Sequence, residues 1–349
     1  MVILGIDAHK RTHTVVAIDE VGRRLGEKTT MSTTTEVHLE LVRWADRFGT
    51  ERRWAVEDCR HLSRRLEADL LAAGEQITRV PPKLMAHARA AARTYGKSDP
   101  IDALAVARAA LREPGLPLAR LDGPSRELRL LVDHREDLVR DRTAHINRLR
   151  WHLHELDPSW DPSPRCLIRY KHLDALAARL EAMQGTVARI ARDLIGRIRE
   201  LTEKANALQR EILGLVRSLA PTLLQITGVA ELTAAKIVGE VADVRRFRSK
   251  DAFARHNGTA PLPVWSGNQV RHRLSRTGNR QLNAAIHRIA VTQKRCHEQA
   301  KSYLERRMAL GNTKTEALRA LKRKLSDVVY RALLVDAVPA VAASAEEAA

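Results

Sequence analysis

Aromatic residues and cysteines are both scarce in this 349-residue chain, at 3% and three residues respectively. So few aromatics argue against a single-strand nucleic-acid binder that works mainly by base stacking. Cys59, Cys166 and Cys296 are odd in number and far apart, so neither a disulfide framework nor a structural zinc site is indicated. No apolar run reaches the roughly 18–20 residues that a membrane span needs. The first ten residues, MVILGIDAHK, become charged too early for a secretory signal. We therefore expect a cytoplasmic protein without a membrane partner.

Positive charge, in contrast, is in large excess. The chain has 60 lysines and arginines against 42 acidic residues, a formal net charge of +18. Sixteen basic and six acidic residues fall within 221–310, so ten of the eighteen excess charges lie there. An excess of this size favours polyanionic partners, because binding releases their condensed counterions. Together with the few aromatics, it favours contact with the backbone of duplex or A-form nucleic acid.

Strand and helix patterns alternate over the first 112 residues. Apolar and alternating runs predict five strands, over 2–7, 13–18, 24–30, 53–57 and 76–80. Helical spacing predicts helices over 34–48, 62–73 and 98–111, with a further helical stretch after Pro81-Pro82. Ser98 is the expected N-cap of the last helix. This β-β-β-α-β-α-β-α order predicts an α/β domain over residues 1–124, whose final part, 113–124, is a linker.

The next part of the chain is predicted to be helical. A stripe of leucines predicts a helix over 126–156, and three prolines between 157 and 164 end it. A heptad-like stripe then predicts one helix from about 173 to 219, roughly 70 Å long. A helix of that length cannot bury its stripe inside a small domain. Two interpretations stay open: an intramolecular hairpin against 126–156, or a dimerising coiled coil, alone or with that hairpin.

Three regions follow from these patterns. Residues 125–220 are predicted to form a helical hairpin or coiled-coil dimerisation region. Residues 221–336 are predicted to form a mainly helical domain, with a helix-turn-helix-like start at 224–241, a short helix at 250–256, an irregular stretch over 257–278 and a helix over 280–310. Residues 337–349 are low in complexity and are expected to be disordered.

Four carboxylates mark the ends of predicted elements in the first domain. Asp7 follows the first strand and Glu57 follows the fourth. Asp99 and Asp102 lie three apart at a helix start, so their side chains share one face. Each acid alone is also explained as a solvated turn residue or a partner of the helix dipole. Together they would repel one another unless a cation lay between them, and an all-oxygen ligand set favours Mg²⁺ or Mn²⁺. The set predicts a metal site that orients a scissile phosphate. Three other residues lie near these acids in the sequence. Asp58 is a rival to Glu57 as a ligand, and His9 and His13 are expected to be surface or supporting residues.

Two features of the basic C-terminal part indicate phosphate contacts. Residues 227–233 resemble the hairpin of a helix-hairpin-helix element, in which a turn at Gly228 aims backbone N–H groups at phosphate oxygens; plain helix packing is the alternative. Ser266 lies beside a glycine in a basic loop, so its hydroxyl is a candidate nucleophile. It is favoured over Ser275, because the turn over residues 275–279 is expected to cap the next helix. Arginine is suited to bidentate phosphate recognition, and four arginines follow within fifteen residues: Arg271, Arg273, Arg276 and Arg280.

These residues together resemble the DEDD transposases of bacterial insertion sequences, the insertion-sequence-110 and Piv/MooV group. The resemblance covers nearly the whole chain and is carried by Gly5-Ile6-Asp7, Val56-Glu57, Lys97-Ser98-Asp99-Pro100-Ile101-Asp102-Ala103, Pro261, Ser266-Gly267 and Thr277-Gly278-Asn279-Arg280. The family often has a more glycine-rich Ser-Gly-Gly-Lys loop, whereas this chain has Ser266-Gly267-Asn268-Gln269. This difference in sequence affects the expected conformation of the loop, whereas the serine itself is present.

The resemblance implies a fold and a mechanism. It implies a RuvC-like (RNase H-like) domain, a coiled-coil insert and a C-terminal transposase domain, and hence an α/β plus α protein. Asp7, Glu57, Asp99 and Asp102 are then the ligands of Mg²⁺ or Mn²⁺. Ser266 is then the nucleophile that forms a covalent phosphoserine intermediate with DNA, in a site whose serine domain comes from a neighbouring protomer.

The resemblance also implies partners. A structured bridge RNA pairs with target and donor DNA, and the protein is a homo-oligomer at the bacterial nucleoid, a dimer that becomes a tetramer when active. Two rival interpretations stay open. One is a RuvC-like junction-resolving nuclease in which water attacks and Ser266 is incidental, and the other is a non-catalytic nucleic-acid-binding protein.

Overall fold

The computed structural model describes residues 1–57, 62–82, 84–85, 88, 98–113, 115–116, 118–119, 123–266, 269–273 and 278–337. For residues 265–266, 269–271 and 273 it describes the backbone alone. The chain divides into two units, Met1–Leu121 and Asp122–Ala349. Among the described helices, none combines the length and the apolar character needed to cross a membrane.

The first unit is built on a five-stranded sheet. Its strands are β1 (Val2–Ala8), β2 (His13–Ile18), β3 (Arg24–Thr30), β4 (Arg52–Glu57) and β5 (Ile77–Val80). The order across the sheet is β3-β2-β1-β4-β5. Strand β2 is antiparallel to both β1 and β3, whereas β1, β4 and β5 are parallel. The strands lie within one residue of their predicted bounds, and the mixed sheet confirms the predicted α/β fold of this part of the chain.

Helices cover both faces of this sheet. Leu4 and Ile6 of β1 pack in one apolar cluster with the first two helices, and Ile3 and Val16 pack in another with the third helix. Central strands that are covered on both faces need continuous apolar runs, which is why β1 shows no alternation. The helices are α1 (Thr35–Ala45), α2 (Arg64–Ala72) and α3 (Asp99–Arg112).

Three helices open the second unit: α4 (Pro124–Leu156), α5 (Tyr170–Glu181) and α6 (Thr186–Leu219). The prediction of one helix from 173 to 219 is wrong. The helix is interrupted before α6, where Gly185 has a φ of +103°, in the left-handed region that favours glycine. Helices α5 and α6 then share an apolar cluster that includes Leu176 and Ile195.

The apolar stripe of α6 is buried within the same chain. Leu128 of α4 and Val216 of α6 belong to one cluster, and Leu149 of α4 and Ile198 of α6 belong to another. The two long helices therefore form the intramolecular hairpin that was one of the two interpretations. A coiled coil between two chains stays a prediction.

The rest of the second unit contains helices and one β-hairpin. Residues 257–278 were predicted to be irregular, which is wrong, because they contain two paired strands. Pro263 obscures the strand signal, since proline is tolerated in a strand only at an edge, and a two-stranded ribbon consists of edges. The predicted helix over 280–310 is divided at His297, whose backbone is extended. The elements are α7 (Pro221–Leu224), α8 (Glu231–Val241), α9 (Lys250–His256), β6 (Leu262–Ser266), β7 (Gln269–Arg273), α10 (Arg280–Cys296), α11 (Glu298–Ala309) and α12 (Lys314–Asp336).

Helix α12 was not predicted. It begins at a capping box, in which the Thr313 hydroxyl accepts from the backbone of Glu316 and the Glu316 carboxylate accepts from the backbone of Thr313. Its residue Val329 is fully buried in a cluster that also contains Ile237 of α8 and Ile286 of α10. The predicted domain boundaries at 124, 220 and 336 stay predictions, and residues 338–349 of the predicted tail lie outside the described residues.

Candidate active site

Gly5 allows helix α3 to lie directly against strand β1. A Cβ atom at Gly5 would lie 2.2 Å from the carbonyl oxygen of Ala103 and 2.5 Å from the backbone nitrogen of Ala107. Both alanines are fully buried, so small side chains on α3 complete the close approach. Asp7 follows two residues later on β1. Close packing of the two backbones therefore brings Asp7 next to the first turn of α3, where two of the predicted acids lie.

A histidine lies between two of these acids. His9 Nε2 is 3.1 Å from Asp7 Oδ2 and 3.5 Å from Asp99 Oδ1. The three side chains each offer one ligand atom, and these atoms all lie within 4.8 Å of one another. Asp7 is buried, whereas the side chains of His9 and Asp99 are about half-exposed. The sequence signal for His9 is its spacing two residues after Asp7, since alternate residues of an extended strand share a face.

Burial raises the pKa of Asp7 above its ordinary value of 3.8. The charge and hydrogen bond of His9 lower this pKa, and the charges of Asp102 and Asp99 raise it again. A buried carboxylate beside other carboxylates is unfavourable to ionise. A divalent cation would remove this repulsion, and carboxylate oxygens with an imidazole nitrogen are a donor set that divalent metals accept. The chemistry of the group therefore fits a divalent metal site.

The other two predicted acids lie near Asp7. Asp102 is 5% exposed on α3, and its charge acts on Asp7 directly. Glu57 is the last residue of β4 and directly follows Val56, which pairs with Ile6 in the parallel register of β4 with β1. The structure thus brings Asp7 and Asp99 together with His9, whereas Glu57 and Asp102 do not belong to this group of ligand atoms, and their role as ligands stays a prediction. The rival acid Asp58 lies outside the described residues.

In the second unit, Ser266 is the last residue of β6 in the antiparallel hairpin. Its backbone pairs with Gln269, and Arg271 and Arg273 lie opposite the residues two and four positions before Ser266. Opposite residues share a face of the ribbon, and so do alternate residues of a strand. Ser266, Arg271 and Arg273 therefore occupy register positions of one face. Six residues of the predicted irregular stretch lie outside the described residues: Gly267, Asn268, Leu274, Ser275, Arg276 and Thr277.

The two ends of the segment that carries this hairpin meet at close range. A Cβ atom at Gly278 would lie 2.3 Å from the backbone nitrogen of Gly258, so the two glycine backbones touch. Next to them, Asn279 Nδ2 donates to Glu240 Oε2 at 2.6 Å, and Glu240 is 4% exposed. We define these four residues as the hairpin anchor. It ties the base of the hairpin to α8, and the sequence patterns did not indicate it.

Acidic residues are missing from the sequence around the hairpin. Between Asp251 and Glu298 the chain has eight arginines and lysines and no aspartate or glutamate. On α10, Arg280, Arg288 and Arg295 are exposed, and their spacing places them along one face of the helix. Four of the arginines were predicted to contact phosphate, whereas the absence of acidic residues was not predicted. A segment with eight basic residues and no carboxylate suits a phosphate backbone, because its own charges attract phosphate and none of them repels it.

Gly228 packs against helix α10. Its φ is +88°, and a Cβ atom there would lie 3.1 Å from Thr292 Cβ and 3.2 Å from the carbonyl oxygen of Ile289. Beside it, Gln293 Nε2 donates to the carbonyl oxygen of Thr227 at 2.8 Å. Packing of this turn against a helix was the alternative interpretation, and it explains why a glycine is required at position 228. Phosphate binding by the turn stays a prediction.

Two transposase family models match the chain. The IS110 DEDD transposase model matches residues 4–158. The model described as Transposase IS116/IS110/IS902 family matches residues 220–305. All four predicted carboxylates fall within the first match, and Ser266 falls within the second.

Relatives of similar length support these matches. An uncharacterized 44.8 kDa protein of insertion element IS116 from Streptomyces clavuligerus is 28% identical, over 95% of this chain and 94% of the relative. An uncharacterized 42 kDa protein of insertion element IS900 from Mycobacterium paratuberculosis is 26% identical, over 96% of each chain. Among solved structures, Thermus thermophilus RuvC, alone and with a Holliday junction substrate, matches with a TM-score of 0.28 at 18% and 17% identity. These matches cover 34% of this chain and 100% and 99% of the RuvC chains.

Proposed function

The chain belongs to the IS110 family of DEDD transposases and is a DNA transposase, and from this premise we propose a serine-based mechanism of strand exchange. In this proposal the four carboxylates hold Mg²⁺ or Mn²⁺, and Ser266 attacks a DNA phosphate. The reaction is cleavage and rejoining of DNA through a covalent phosphoserine intermediate. The proposed metal ligands are Asp7, Glu57, Asp99 and Asp102.

One observation carries the metal part of the proposal. The buried carboxylate of Asp7 lies among the charges of Asp99 and Asp102, beside the strand that ends in Glu57. Such a group is expected where a divalent cation binds, since without one the carboxylates repel. When bound, the cation supplies orientation of the scissile phosphate and stabilises charge on the attacking and leaving oxygens.

Ser266 supplies the attacking oxygen in this proposal. Its Oγ forms a bond to phosphorus while one P–O bond to a deoxyribose oxygen breaks. The proton lost by the hydroxyl balances the proton that the leaving sugar oxygen gains. Attack by a sugar hydroxyl of a second strand then restores a phosphodiester and releases the serine. Because one phosphate ester replaces another at each step, the exchange needs no external energy source.

Arginines near Ser266 are proposed to hold the phosphate. Arg271 and Arg273 occupy the same face of the hairpin as Ser266, and the guanidinium group binds phosphate oxygens in pairs. Arg276 and Arg280, which follow in the sequence, are proposed to contact neighbouring phosphates.

Trapping the covalent adduct tests the proposal. With Mg²⁺ and DNA that carries the element's ends, the wild type is expected to form a protein–DNA adduct that survives denaturation. Ser266→Ala is expected to lose the adduct but keep DNA binding, and Asp102→Asn is expected to lose cleavage. Ser275→Ala, the matched serine control, is expected to keep both. Metal-dependent cutting by Ser266→Ala would contradict the proposal and favour water as the nucleophile.

A structured bridge RNA is proposed as the guide that pairs with donor and target DNA. With a guide RNA, base pairing recognises the DNA sequence, and the protein has only to bind the nucleic-acid backbone. This agrees with a chain that is rich in arginine and poor in aromatic residues. Sequencing the nucleic acid that copurifies with the protein tests this part. One structured RNA encoded beside the gene is expected, and a mixture of unrelated cellular RNAs would contradict it.

The active form is proposed to be a homo-oligomer, a dimer or a tetramer, in which the serine of one protomer acts with the carboxylates of another. The proposal rests on the family, whose composite sites combine the two domains in this way. Sedimentation of the protein with its DNA measures the oligomer, and a monomeric active complex would contradict the proposal.

A further inference from the structure

We propose that His9 is a ligand of the divalent metal, so that the site has one nitrogen donor beside its carboxylate oxygens. The inference rests on the metal site of the proposed function and adds a donor that the four-carboxylate set lacks. It predicts that the site binds Mn²⁺ in preference to Mg²⁺, because Mg²⁺ favours oxygen ligands and imidazole suits transition metals.

The first support is the spacing of the donor atoms. Metal–ligand bonds to nitrogen and oxygen are about 2.0–2.2 Å long, so neighbouring ligands of one ion lie about 3 to 3.5 Å apart. His9 Nε2 lies 3.1 Å from Asp7 Oδ2 and 3.5 Å from Asp99 Oδ1. All three donor atoms lie within 4.8 Å of one another. The two spacings that involve His9 therefore match those of neighbouring ligands of one ion.

The second support is the position of His9 in the fold. It follows the end of β1, and its backbone nitrogen donates to the carbonyl oxygen of Thr12 at 2.9 Å, which holds the turn between β1 and β2. The side chain is 48% exposed, so a metal ion and a phosphate can both reach it. Asp7 lies at the buried side of the group and Asp99 at its open side. His9 bridges the two.

A hydrogen bond without metal ligation is the alternative role for His9. In that role the imidazole only orients the carboxylates, and a side chain with an N–H donor of similar reach replaces it. His9→Gln keeps such a donor and removes the imidazole nitrogen. His9→Ala removes both. The two variants therefore separate positioning from ligation.

Pulsed electron paramagnetic resonance of Mn²⁺ bound to the full-length protein, without nucleic acid, tests the proposal. The wild type is expected to show nitrogen modulation from a coordinated imidazole. His9→Ala and His9→Gln are expected to lose it. His154→Ala, which removes an exposed histidine of α4, is the matched control and is expected to keep it.

Affinity gives a second readout on the same samples. Loss of a residue that only supports a ligand weakens metal binding by about 10–100-fold, so His9→Ala is expected to raise the Kd for Mn²⁺ at least about tenfold. Its Kd for Mg²⁺ is expected to change less. The preference for Mn²⁺ over Mg²⁺ therefore falls in the variant.

The outcomes separate this inference from the proposed function. Bound Mn²⁺ without nitrogen modulation, or modulation that persists in His9→Ala, would overturn the role of His9 and leave the carboxylate site intact. Absence of Mn²⁺ binding by the wild type would overturn both. If Asp102→Asn weakens Mn²⁺ binding while His9→Gln does not, the carboxylates hold the metal and His9 only orients them.

Discussion

Gly5 is the residue on which the contact between β1 and α3 depends. A methyl group there would meet the carbonyl oxygen of Ala103 at 2.2 Å, so one of the two backbones would have to shift. Gly5→Ala is therefore expected to lower the free energy of unfolding by about 1–3 kcal/mol or more, and to weaken metal binding by moving α3 away from Asp7. Urea unfolding and Mn²⁺ titration measure the two effects.

The same substitution at Gly196 is the control for Gly5. Gly196 lies within α6, and a Cβ atom there would meet no other atom within 4 Å. Gly196→Ala is expected to stabilise the protein by about 0.5–1 kcal/mol, because alanine has the higher helix propensity. A Gly5→Ala variant that is as stable as the wild type would contradict the close packing of β1 and α3.

His13 makes the first unit sensitive to acid. Burial, followed by the charges of His38 and His9, lowers the pKa of His13 from its ordinary 6.5 to about 4. His38 lies beside it, with ring centroids 5.2 Å apart, and is itself paired with Asp69 at 2.6 Å. Between pH 6.5 and 4, His13 is largely protonated in the unfolded chain and largely neutral in the folded protein. The free energy of unfolding therefore falls as the pH falls.

The expected loss from His13 across this window is up to about 3 kcal/mol. Urea unfolding at pH 7, 5.5 and 4 measures it. His13→Gln removes the titrating group, so its stability is expected to vary less with pH than that of the wild type, whatever its absolute stability. His154→Gln, at an exposed position, is expected to keep the wild-type dependence, and an equal pH dependence in both variants would contradict the prediction.

At the scale of elements, the hairpin β6–β7 depends on its anchor. Asn279 caps α10, since its Oδ1 accepts from the backbone nitrogen of Leu282 at 3.0 Å, and its Nδ2 donates to Glu240. Asn279→Ala removes both bonds. We expect a loss of about 1 kcal/mol for the cap and about 1–3 kcal/mol for the lost donor of a buried carboxylate. Slower formation of the covalent adduct is expected as well, because the base of the hairpin is released.

Two variants separate the contributions of Asn279. Asn279→Ser keeps a capping oxygen and loses the bond to Glu240, so it is expected to fall between the wild type and Asn279→Ala. Thr313→Ala removes the cap of α12 at a similar cost of about 1 kcal/mol without touching the anchor. If Thr313→Ala slows the adduct as much as Asn279→Ala, the effect reflects stability rather than the position of the hairpin.

At the scale of the whole molecule, the charge of +18 and the acid-free segment between Asp251 and Glu298 predict salt-sensitive DNA binding. Each phosphate that the protein neutralises adds about 0.9 to the slope of log K against log salt. Arg280→Gln is expected to reduce this slope by about one. Arg140→Gln, at an exposed arginine paired with Asp137, is expected to leave it unchanged. A slope that is flat in the wild type would contradict backbone-dominated binding.

Complementation between variants tests whether the active site is shared between protomers. Asp102→Asn and Ser266→Ala are each expected to be inactive alone. In mixed oligomers, one intact site forms if the serine and the carboxylates come from different chains, so co-expression is expected to restore part of the adduct formation. A double variant mixed with Ser266→Ala is the control and is expected to stay inactive. Failure of the first mixture, with oligomers formed, would indicate that both groups act within one chain.

Local sequence patterns were sufficient to predict the strands of the first unit and the acids near their ends. A central strand covered on both faces must be a continuous apolar run, so β1 and the positions of Asp7 and Glu57 are visible locally. Local patterns also located α4 and α9. They did not separate α5 from α6, because a heptad-like stripe is equally compatible with one helix and with two that fold back on each other.

Which of these residues meet could not be read from local patterns, because it depends on contacts between distant segments. The contact of Gly5 with α3 joins residues about a hundred positions apart, and it is this contact that brings Asp7, His9 and Asp99 within reach of one ion. The anchor of the hairpin joins Gly258 to Gly278 and Asn279 to Glu240 in the same way. The periodicity of apolar residues predicts which face of a segment is buried and which is exposed to solvent. It does not predict which segment packs against the buried face, since that depends on packing between segments distant in the chain.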